Sequence, residues 1–319
     1  MQGLWAVYKK ELADHMSSYR FVILFAFIAL VSFILSYMAG INVRQGLEGV
    51  AKPKFVFLML FSTPGVLFSM VQFVAFFGPL IGLVLGFDAI NRERAQGTLI
   101  KLVSQPIYRD AVINGKFLAG LTNITIMLVS VVLIISGFGL ILLGVVPGIE
   151  EILRVFMYLV ISIFYISFWL GIAILFSISF RSMATSLLAT AAVWLFLSFF
   201  VGYGAPVLVA NTVAPVEQQE GTNQDVLIKN MRIKESVSLF SPMILYSYST
   251  AVVVDPTRKT TRLHLMGFAE QISLSRFQNP LSLGQSIVVV YPHMVALLAI
   301  TLFCFAISYL VFMLQEIRT

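Results

Sequence analysis

Long apolar runs separated by short polar stretches dominate the chain. Six of these runs have about the 20 apolar residues that a helix needs to cross the core of a bilayer. Strict alternation of polar and apolar positions, which would indicate half-buried strands, is not the dominant pattern. The sequence therefore predicts an all-α polytopic membrane protein. The predicted spans cover residues 21–40, 62–87, 117–146, 155–180, 183–209 and 287–314.

The polar stretches divide the chain into four parts. The first is an N-terminal amphipathic helix with Trp5, Tyr8 and Leu12 on one stripe, which we expect to lie in the membrane interface. This helix either anchors the first span or moves with a partner subunit. The four predicted parts are residues 1–20 (interfacial helix), 21–209 (spans one to five with a hairpin at 88–116), 210–286 (an extracytoplasmic domain) and 287–319 (span six and a cytoplasmic tail).

Residues 237–254 form an apolar stretch inside the predicted extracytoplasmic domain. It could be a seventh span, but its length is marginal and it is rich in Ser and Tyr. We therefore expect helices that lie against the outer membrane face. An extra span would also move the C-terminal tail across the membrane.

The distribution of Lys and Arg predicts the orientation. Ten of them fall on the side of the N-terminus, the hairpin, Arg181 and the tail, and four fall in the short loops 41–61 and 147–154 on the other side. Short cytoplasmic loops carry the excess of basic residues, so both termini are predicted to be cytoplasmic. The first apolar stretch is too long for a cleavable signal and lacks its small-residue cleavage site. The expected location is the plasma membrane of a bacterium or archaeon.

Composition and motifs exclude several classes of function. Hydrophobic residues make up 59% of the chain and charged residues 11%, so a net charge of +6 indicates cytoplasmic loops facing anionic lipid rather than nucleic-acid binding. The predicted spans contain no Asp, Glu, Lys or Arg, which argues against ion relays and ion-coupled carriers. No zinc or phosphate-loop motif is present, and Cys304 is the single cysteine. We therefore expect no catalytic residue, no metal site and no cofactor bound by this chain.

The polar hairpin at residues 88–116 is the distinctive stretch of the sequence. A helix is predicted from Asp88 to about Ser104, and Pro106 interrupts it because the residue before proline avoids the helical region. A second helix then begins at Pro106 and continues into the third span. A solvated basic loop would also fit the charges of this stretch, but it would not require Gly-Thr and Gln-Pro at fixed places. We therefore predict a cytoplasmic hairpin that docks on another protein.

The order of residues in the hairpin resembles the signature of type 2 ABC exporter permeases, in particular the small bacterial and archaeal group that includes the permease of nitrous-oxide-reductase maturation. The resemblance rests on ERAQGTL at residues 93–99, LVSQPI at 102–107, Arg109 and Gly115-Lys116. It implies a homodimeric half-transporter that binds two copies of a separate ABC ATPase, with ATP and Mg on that partner. It also implies that Leu99 and Leu102 form an apolar knob. The residues implied in coupling are Glu93, Arg94, Gly97, Thr98, Leu99, Leu102, Gln105, Pro106, Arg109 and Lys116.

Two other classes of function stay open. One is a membrane scaffold whose hairpin recruits another cytosolic protein, and the other is a channel or carrier. Mechanotransmission to an extracytoplasmic partner, in which nothing crosses the membrane, is a variant of the ABC hypothesis. The substrate is not predicted. The candidate pathway residues are Gln72, Thr122, Asn123 and Thr125, each of which could instead form an interhelical hydrogen bond.

Overall fold

The computed structural model describes residues 2–48, 53–63, 68–98, 108–215, 224–258 and 280–314. Over these residues the protein is helical and contains no strand, as the sequence predicts. Two π-helical stretches, Gly139–Leu143 and Phe196–Gly204, continue neighbouring α-helices. The α-helices are α1 (Gln2–Met16), α2 (Tyr19–Gly46), α3 (Val56–Ser62), α4 (Met70–Gly86), α5 (Asn91–Ala95), α6 (Arg109–Phe138), α7 (Ile149–Ser179), α8 (Met183–Leu195), α9 (Ala205–Val213), α10 (Gln224–Ser238), α11 (Pro242–Val254) and α12 (Leu283–Leu314).

Within the part of the chain that the structure describes, six helical segments are long and apolar enough to cross a membrane, which confirms the predicted number. Most extend beyond the predicted spans, because polar residues such as Lys116 and Arg154 continue the helices. The second begins later than predicted, at Met70, where the Ser69 hydroxyl accepts a hydrogen bond from the Gln72 backbone amide. The six segments are Tyr19–Gly46, Met70–Ala95, Arg109–Leu143, Ile149–Ser179, Met183–Val213 and Leu283–Leu314.

Helices α4 and α7 form the centre of the bundle. Their most apolar windows are each 67% buried, whereas those of the other four segments are 22–28% buried. Gly78, Gly82 and Gly86 repeat every four residues and place a strip of bare backbone against α7. A Cβ atom on Gly82 would lie 2.7 Å from the Leu170 backbone nitrogen, so the two backbones are in direct contact. Small residues at this spacing permit such close packing in membranes.

Helix α11 is inserted into the bundle, in contrast to the prediction that residues 237–254 lie against the outer membrane face. Tyr246 is fully buried, stacks on Tyr165 at 4.4 Å and shares a hydrogen bond with Ser162 at 2.9 Å. The hydroxyls of Ser249 and Thr250 donate to carbonyls one turn earlier in α11. Because these hydroxyls need no water, the helix is apolar enough to be buried. The bend between α10 and α11 is 106°, and the pair would count as a seventh span only if taken as one.

Two predicted helices near the N-terminus and in the hairpin are shorter than expected. The N-terminal helix ends at Met16, and Ser18 caps α2 by accepting a hydrogen bond from the Phe21 amide at 3.2 Å. The helix predicted from Asp88 to about Ser104 is broken after α5. Gly97 has a φ of +68°, and its amide donates to the Arg94 carbonyl at 3.1 Å. This left-handed conformation favours glycine and ends the helix.

Candidate functional site

The hairpin begins at the inner end of the bundle, which we define as the end that holds α1 and α5. Its first residues are fixed to the end of α7 and the start of α8. The backbone amides of Ile90 and Asn91 both donate to the Ser177 hydroxyl, at 2.9 and 3.2 Å, and Ser186 donates to the Phe87 carbonyl. The base of the hairpin is therefore held by the core helix α7 rather than by lipid.

A buried cluster of charges joins the hairpin to the N-terminal helix. The Lys116 ammonium lies 2.8 Å from Glu11 Oε1 and 3.0 Å from Glu93 Oε1. Lys10 lies 3.3 and 3.2 Å from the same two oxygens. Glu11, Glu93 and Lys116 are 8%, 7% and 5% exposed, whereas Lys10, which balances the charge, lies at the edge of the cluster with its side chain half exposed. Such burial requires pairing, because an isolated ion in this environment costs several kcal/mol.

The packing beside this cluster explains why α1 is fixed. Val7 is 3% exposed and covers Gly115 on α6. A Cβ atom at residue 115 would lie 2.8 Å from a Val7 methyl group, so only glycine lets α1 approach this closely. The apolar contact at Val7 and the ionic contact at Glu11 are one helical turn apart and face the same partner. Of the predicted interfacial stripe, Trp5 is about half exposed, whereas Tyr8 and Leu12 are partly buried and Tyr8 shares a hydrogen bond with Thr122 of α6.

The cluster shifts the pKa values of three groups on α1. Burial pushes the pKa of Glu11 upward, but the nearby Lys116 and Lys10 ammonium groups outweigh it, so the pKa of Glu11 is lowered. Burial opposes the charged form of Lys10, yet Glu11 and Glu93 raise its pKa overall. The pKa of His15 is lowered, chiefly by burial, which favours the neutral imidazole.

A cleft of about 930 Å³ opens beside the cluster, between α1 and the segment that leads from α4 to the hairpin. Its wall carries a second ion pair, between Arg20 and Asp88 at 2.6 Å. Arg92 and Gln96 are exposed at its rim. The cleft thus combines internally paired charges at its floor with exposed polar groups at its mouth.

The structure separates the predicted coupling residues into two groups. Glu93 and Lys116 face inward and bind each other. Gly97 and Thr98 are exposed, and the Thr98 hydroxyl donates to the Glu93 carbonyl at 3.2 Å. Arg94 and Arg109 are partly buried. Leu99, Leu102, Gln105 and Pro106, and with them the predicted apolar knob, lie outside the described residues.

The four candidate pathway residues do not come together. Gln72 caps α4 near the outer end: its Oε1 accepts from the Ser69 amide at 2.9 Å. Thr122, Asn123 and Thr125 lie on α6, nearer the inner end. They follow Gly120, whose Cβ position meets Leu170 of α7, the same residue that the Cβ position of Gly82 meets ten residues after Gln72. Thr122 shares a hydrogen bond with Tyr8 of α1, and Asn123 is fully buried. Their participation in a pathway stays a prediction.

Sequence reasoning missed two parts of these arrangements. Glu11 lies far from Lys116 in sequence, and no local motif indicates the pair. The sequence places Arg154 in the short loop 147–154, but it lies in α7 and is fully buried at the outer end. Its guanidinium donates to the Val253 carbonyl at 3.3 Å, the Ser286 hydroxyl at 3.0 Å, the Leu281 carbonyl at 2.6 Å and Glu150 at 3.0 Å. Arg154 therefore ties α7 to the end of α11 and the start of α12.

Comparisons with known proteins give this arrangement a context. The family model described as ABC-2 family transporter protein matches residues 5–317. The chain is 28% identical over 153 residues to the probable ABC transporter permease protein NosY of Pseudomonas aeruginosa, covering 47% of this chain and 49% of that protein. It is 26% identical over 117 residues to the protein of the same description in Stutzerimonas stutzeri, covering 37% and 38%. The matched part spans about half of the first relative's length and less of the second's. These matches confirm the predicted resemblance to ABC permeases.

Proposed function

Because the family model matches nearly the whole chain, the protein belongs to the ABC-2 family of transporter proteins, and we propose that it is the transmembrane permease subunit of an ATP-driven exporter. Two copies of the chain would pair in the plasma membrane of a bacterium or archaeon, with both termini in the cytoplasm. Two copies of a separate ATPase would bind ATP and Mg beneath them. The six apolar segments and the relatives described as permeases support this proposal.

The hairpin is the element that would bind the ATPase. The observation that carries this proposal is the combination of an exposed Gly97-Thr98 turn with a base held by buried ionic contacts. A partner that pushes on the exposed turn would act on a segment fixed to α6 by Lys116 and to α7 by Ser177. Because these contacts are buried and charge-paired, a displacement of the hairpin would be carried into the spans rather than absorbed by a flexible loop.

The structure alters the proposed role of two residues in this coupling. The resemblance implies that both Glu93 and Lys116 belong to the residues that couple the chain to the ATPase. Both carboxylate and ammonium are paired within the chain, so we now assign them to holding the hairpin against α1. Gly97, Thr98 and the partly buried Arg94 and Arg109 remain the described candidates for contact with the partner.

A co-purification experiment tests this function. The tagged chain is isolated from its native host in mild detergent, with Gly97→Trp and Leu102→Asp as variants and Ser236→Asp, exposed on α10 and outside the six candidate spans, as the matched control. An ATPase subunit is expected to co-purify with the native chain and with the Ser236 variant. In the hairpin variants the ATPase is expected either not to co-purify or to hydrolyse ATP without driving transport. Native chain that never brings down an ATPase would refute the permease proposal and favour a scaffold.

Mechanotransmission is a second candidate, and the outer-end contacts favour it. Arg154 connects the core helix α7 to α11 and α12 through three hydrogen bonds beyond its own helix. Movement of α7 at the inner end would therefore reach the segments at the outer end. Two results together would distinguish mechanotransmission from export: reconstituted vesicles that transport no substrate, and ATP-dependent binding of an extracytoplasmic protein.

A further inference from the structure

The short turn between α7 and α8 lies at the level of the lipid headgroups. Helix α7 ends at Ser179 and α8 begins at Met183, and both belong to candidate membrane spans. Because residues 180–182 are the whole connection, they must stay at the boundary of the bilayer. Arg181, in the middle of this turn, is exposed. A basic residue at this level faces the phosphate groups of phospholipids.

A hydrogen bond places a second arginine beside Arg181. Asn91 Nδ2 donates to the Ser182 carbonyl at 3.3 Å, which fixes α5 against the turn at the inner end. Arg94 follows Asn91 by three residues in α5, so at about 100° per residue both project from nearly the same side of the helix. The charge of Arg181 acts on Arg94, so the two guanidinium groups are neighbours.

The carboxylates of this corner have other partners. Glu93 points into the buried cluster shared with α1, and Asp88 lies 2.6 Å from Arg20. The guanidinium groups of Arg94 and Arg181 add positive charge that these two carboxylates do not balance. Two cations held side by side repel each other, so a bound anion would stabilise the arrangement.

The surface beside the arginines suits an acyl chain. Leu187 and Leu188, in the second turn of α8, are 37% and 69% exposed. The most apolar window of this span is 22% buried, so most of it is open to lipid or to a second copy. A phospholipid seated here would place its phosphate at the two arginines and one acyl chain along α8. Neither arginine lines the cleft beside α1, so this is a separate site.

From these observations we propose that Arg94 and Arg181 bind the phosphate of an anionic phospholipid in the leaflet at the inner end. Guanidinium groups suit this ligand because their planar N–H donors match phosphate oxygens bidentately. Two of them leave a positive charge after one phosphate is bound, which favours a lipid with a net negative charge. The lipid would tie the base of the hairpin to the turn between α7 and α8. This proposal assigns Arg94 to lipid rather than to the ATPase, and it does not depend on export.

Lipid binding to the purified full chain tests the proposal. The chain is titrated in detergent with phosphatidylglycerol or phosphatidylcholine, and the affinity for the first bound lipid is measured by native mass spectrometry. The variants are Arg181→Gln, Arg94→Gln and the double variant. Arg44→Gln is the matched control, because Arg44 is also exposed at the end of a span but lies in the last turn of α2, at the outer end. Inorganic phosphate is added in a parallel titration as a competitor.

The affinity for phosphatidylglycerol is expected to fall about fivefold in each single variant and more than about tenfold in the double variant. Arg44→Gln should change it by less than about twofold, because its side chain is at the opposite end of the bundle. Phosphatidylcholine should bind weakly to every form, and inorganic phosphate should not displace the bound lipid, since it lacks the acyl chain that packs on α8.

Equal losses in the double variant and in Arg44→Gln would show a general attraction by basic residues and would overturn the proposal. Displacement of the lipid by inorganic phosphate would also overturn it. So would unchanged lipid binding in a double variant that no longer co-purifies with an ATPase, since the pair would then contact that partner. If the double variant does not fold, Arg181→Gln alone decides, because Arg181 is exposed and its replacement disturbs no packed side chain.

Discussion

Replacing Lys116 by methionine tests whether the inner charge cluster holds the hairpin. The substitution keeps a long apolar stem but removes the ammonium that lies 2.8 Å from Glu11 and 3.0 Å from Glu93. Two buried carboxylates would then share only Lys10, whose side chain is 51% exposed and which lies 3.3 and 3.2 Å from them. Removing one partner of a buried pair costs about 3–5 kcal/mol. Because Lys10 compensates in part, we expect a loss of about 2–4 kcal/mol of unfolding free energy.

The pH dependence of the stability of Lys116→Met is more diagnostic than the size of its stability loss. In the native protein the pKa of Glu11 is lowered, so this carboxylate contributes stability above its ordinary pKa of 4.5 that is lost as the pH falls below that value. Without Lys116, the burial of Glu11 is opposed only by Lys10, and we expect the pKa of Glu11 to rise. The variant should then recover stability relative to the native protein as the pH falls from neutral, because protonation removes a buried charge.

The assay is unfolding of the purified protein in mixed micelles, followed by tryptophan fluorescence at several pH values. Lys54→Met is the matched control: Lys54 is 68% exposed and its pair with Glu150 at 3.5 Å should be worth less than about 1 kcal/mol. The double variant Lys116→Met/Glu93→Gln should regain about half of the lost unfolding free energy. Lys116→Met leaves two buried carboxylates without their ammonium partner, and Glu93→Gln removes the charge of one of them. A loss at Lys116 no larger than at Lys54, or a double variant less stable than the single one, would refute the reasoning.

Three further outcomes follow from other contacts and can be measured by the same unfolding assay. Gly82→Val should cost about 1–3 kcal/mol because its side chain meets the α7 backbone. Gly137→Val should be nearly neutral, because no atom of the described residues lies within 4 Å of its Cβ position. Equal effects would contradict the close α4–α7 contact. Arg154→Met should cost about 3 kcal/mol by leaving buried carbonyls without a donor, and exposed Arg44→Met should change little. The native protein should lose stability as the pH falls through 6.5, because the lowered pKa of His15 makes its protonation destabilising in the folded state. His15→Gln should reduce this loss. An unchanged pH profile would show that His15 is hydrated.

The spans could be predicted from sequence because each is a local property of the chain. About 20 apolar residues must be helical in a bilayer whatever surrounds them, and the hairpin is conspicuous as a polar interruption between two such runs. The close contact between α4 and α7 was not predicted. Gly78, Gly82 and Gly86 repeat at helical spacing, but which helix they meet is known only from the structure.

The inner cluster and the inserted helix could not be predicted because they depend on distant partners. Glu93 and Lys116 have the same local sequence whether they face an ATPase or each other, and the burial of Lys116 is decided by Glu11 on a separate helix. The Ser and Tyr content of α11 indicated a polar surface helix. In the fold, hydroxyls such as that of Ser249 are satisfied by the helix itself, and Tyr246 finds its partner on α7.

The contacts of Arg154 form one after another as the chain is synthesised. Its partners Val253 and Ser286 follow it in the chain by 99 and 132 residues. At about 5–20 residues per second, roughly 7–26 s pass between the synthesis of Arg154 and that of Ser286. During that interval α7 carries a guanidinium beside the bilayer with part of its final hydrogen bonding absent. The outer end of the bundle is therefore completed last, once the sixth span arrives. A ribosome that stalls before Ser286 leaves a chain whose fourth span carries Arg154 without its Ser286 partner.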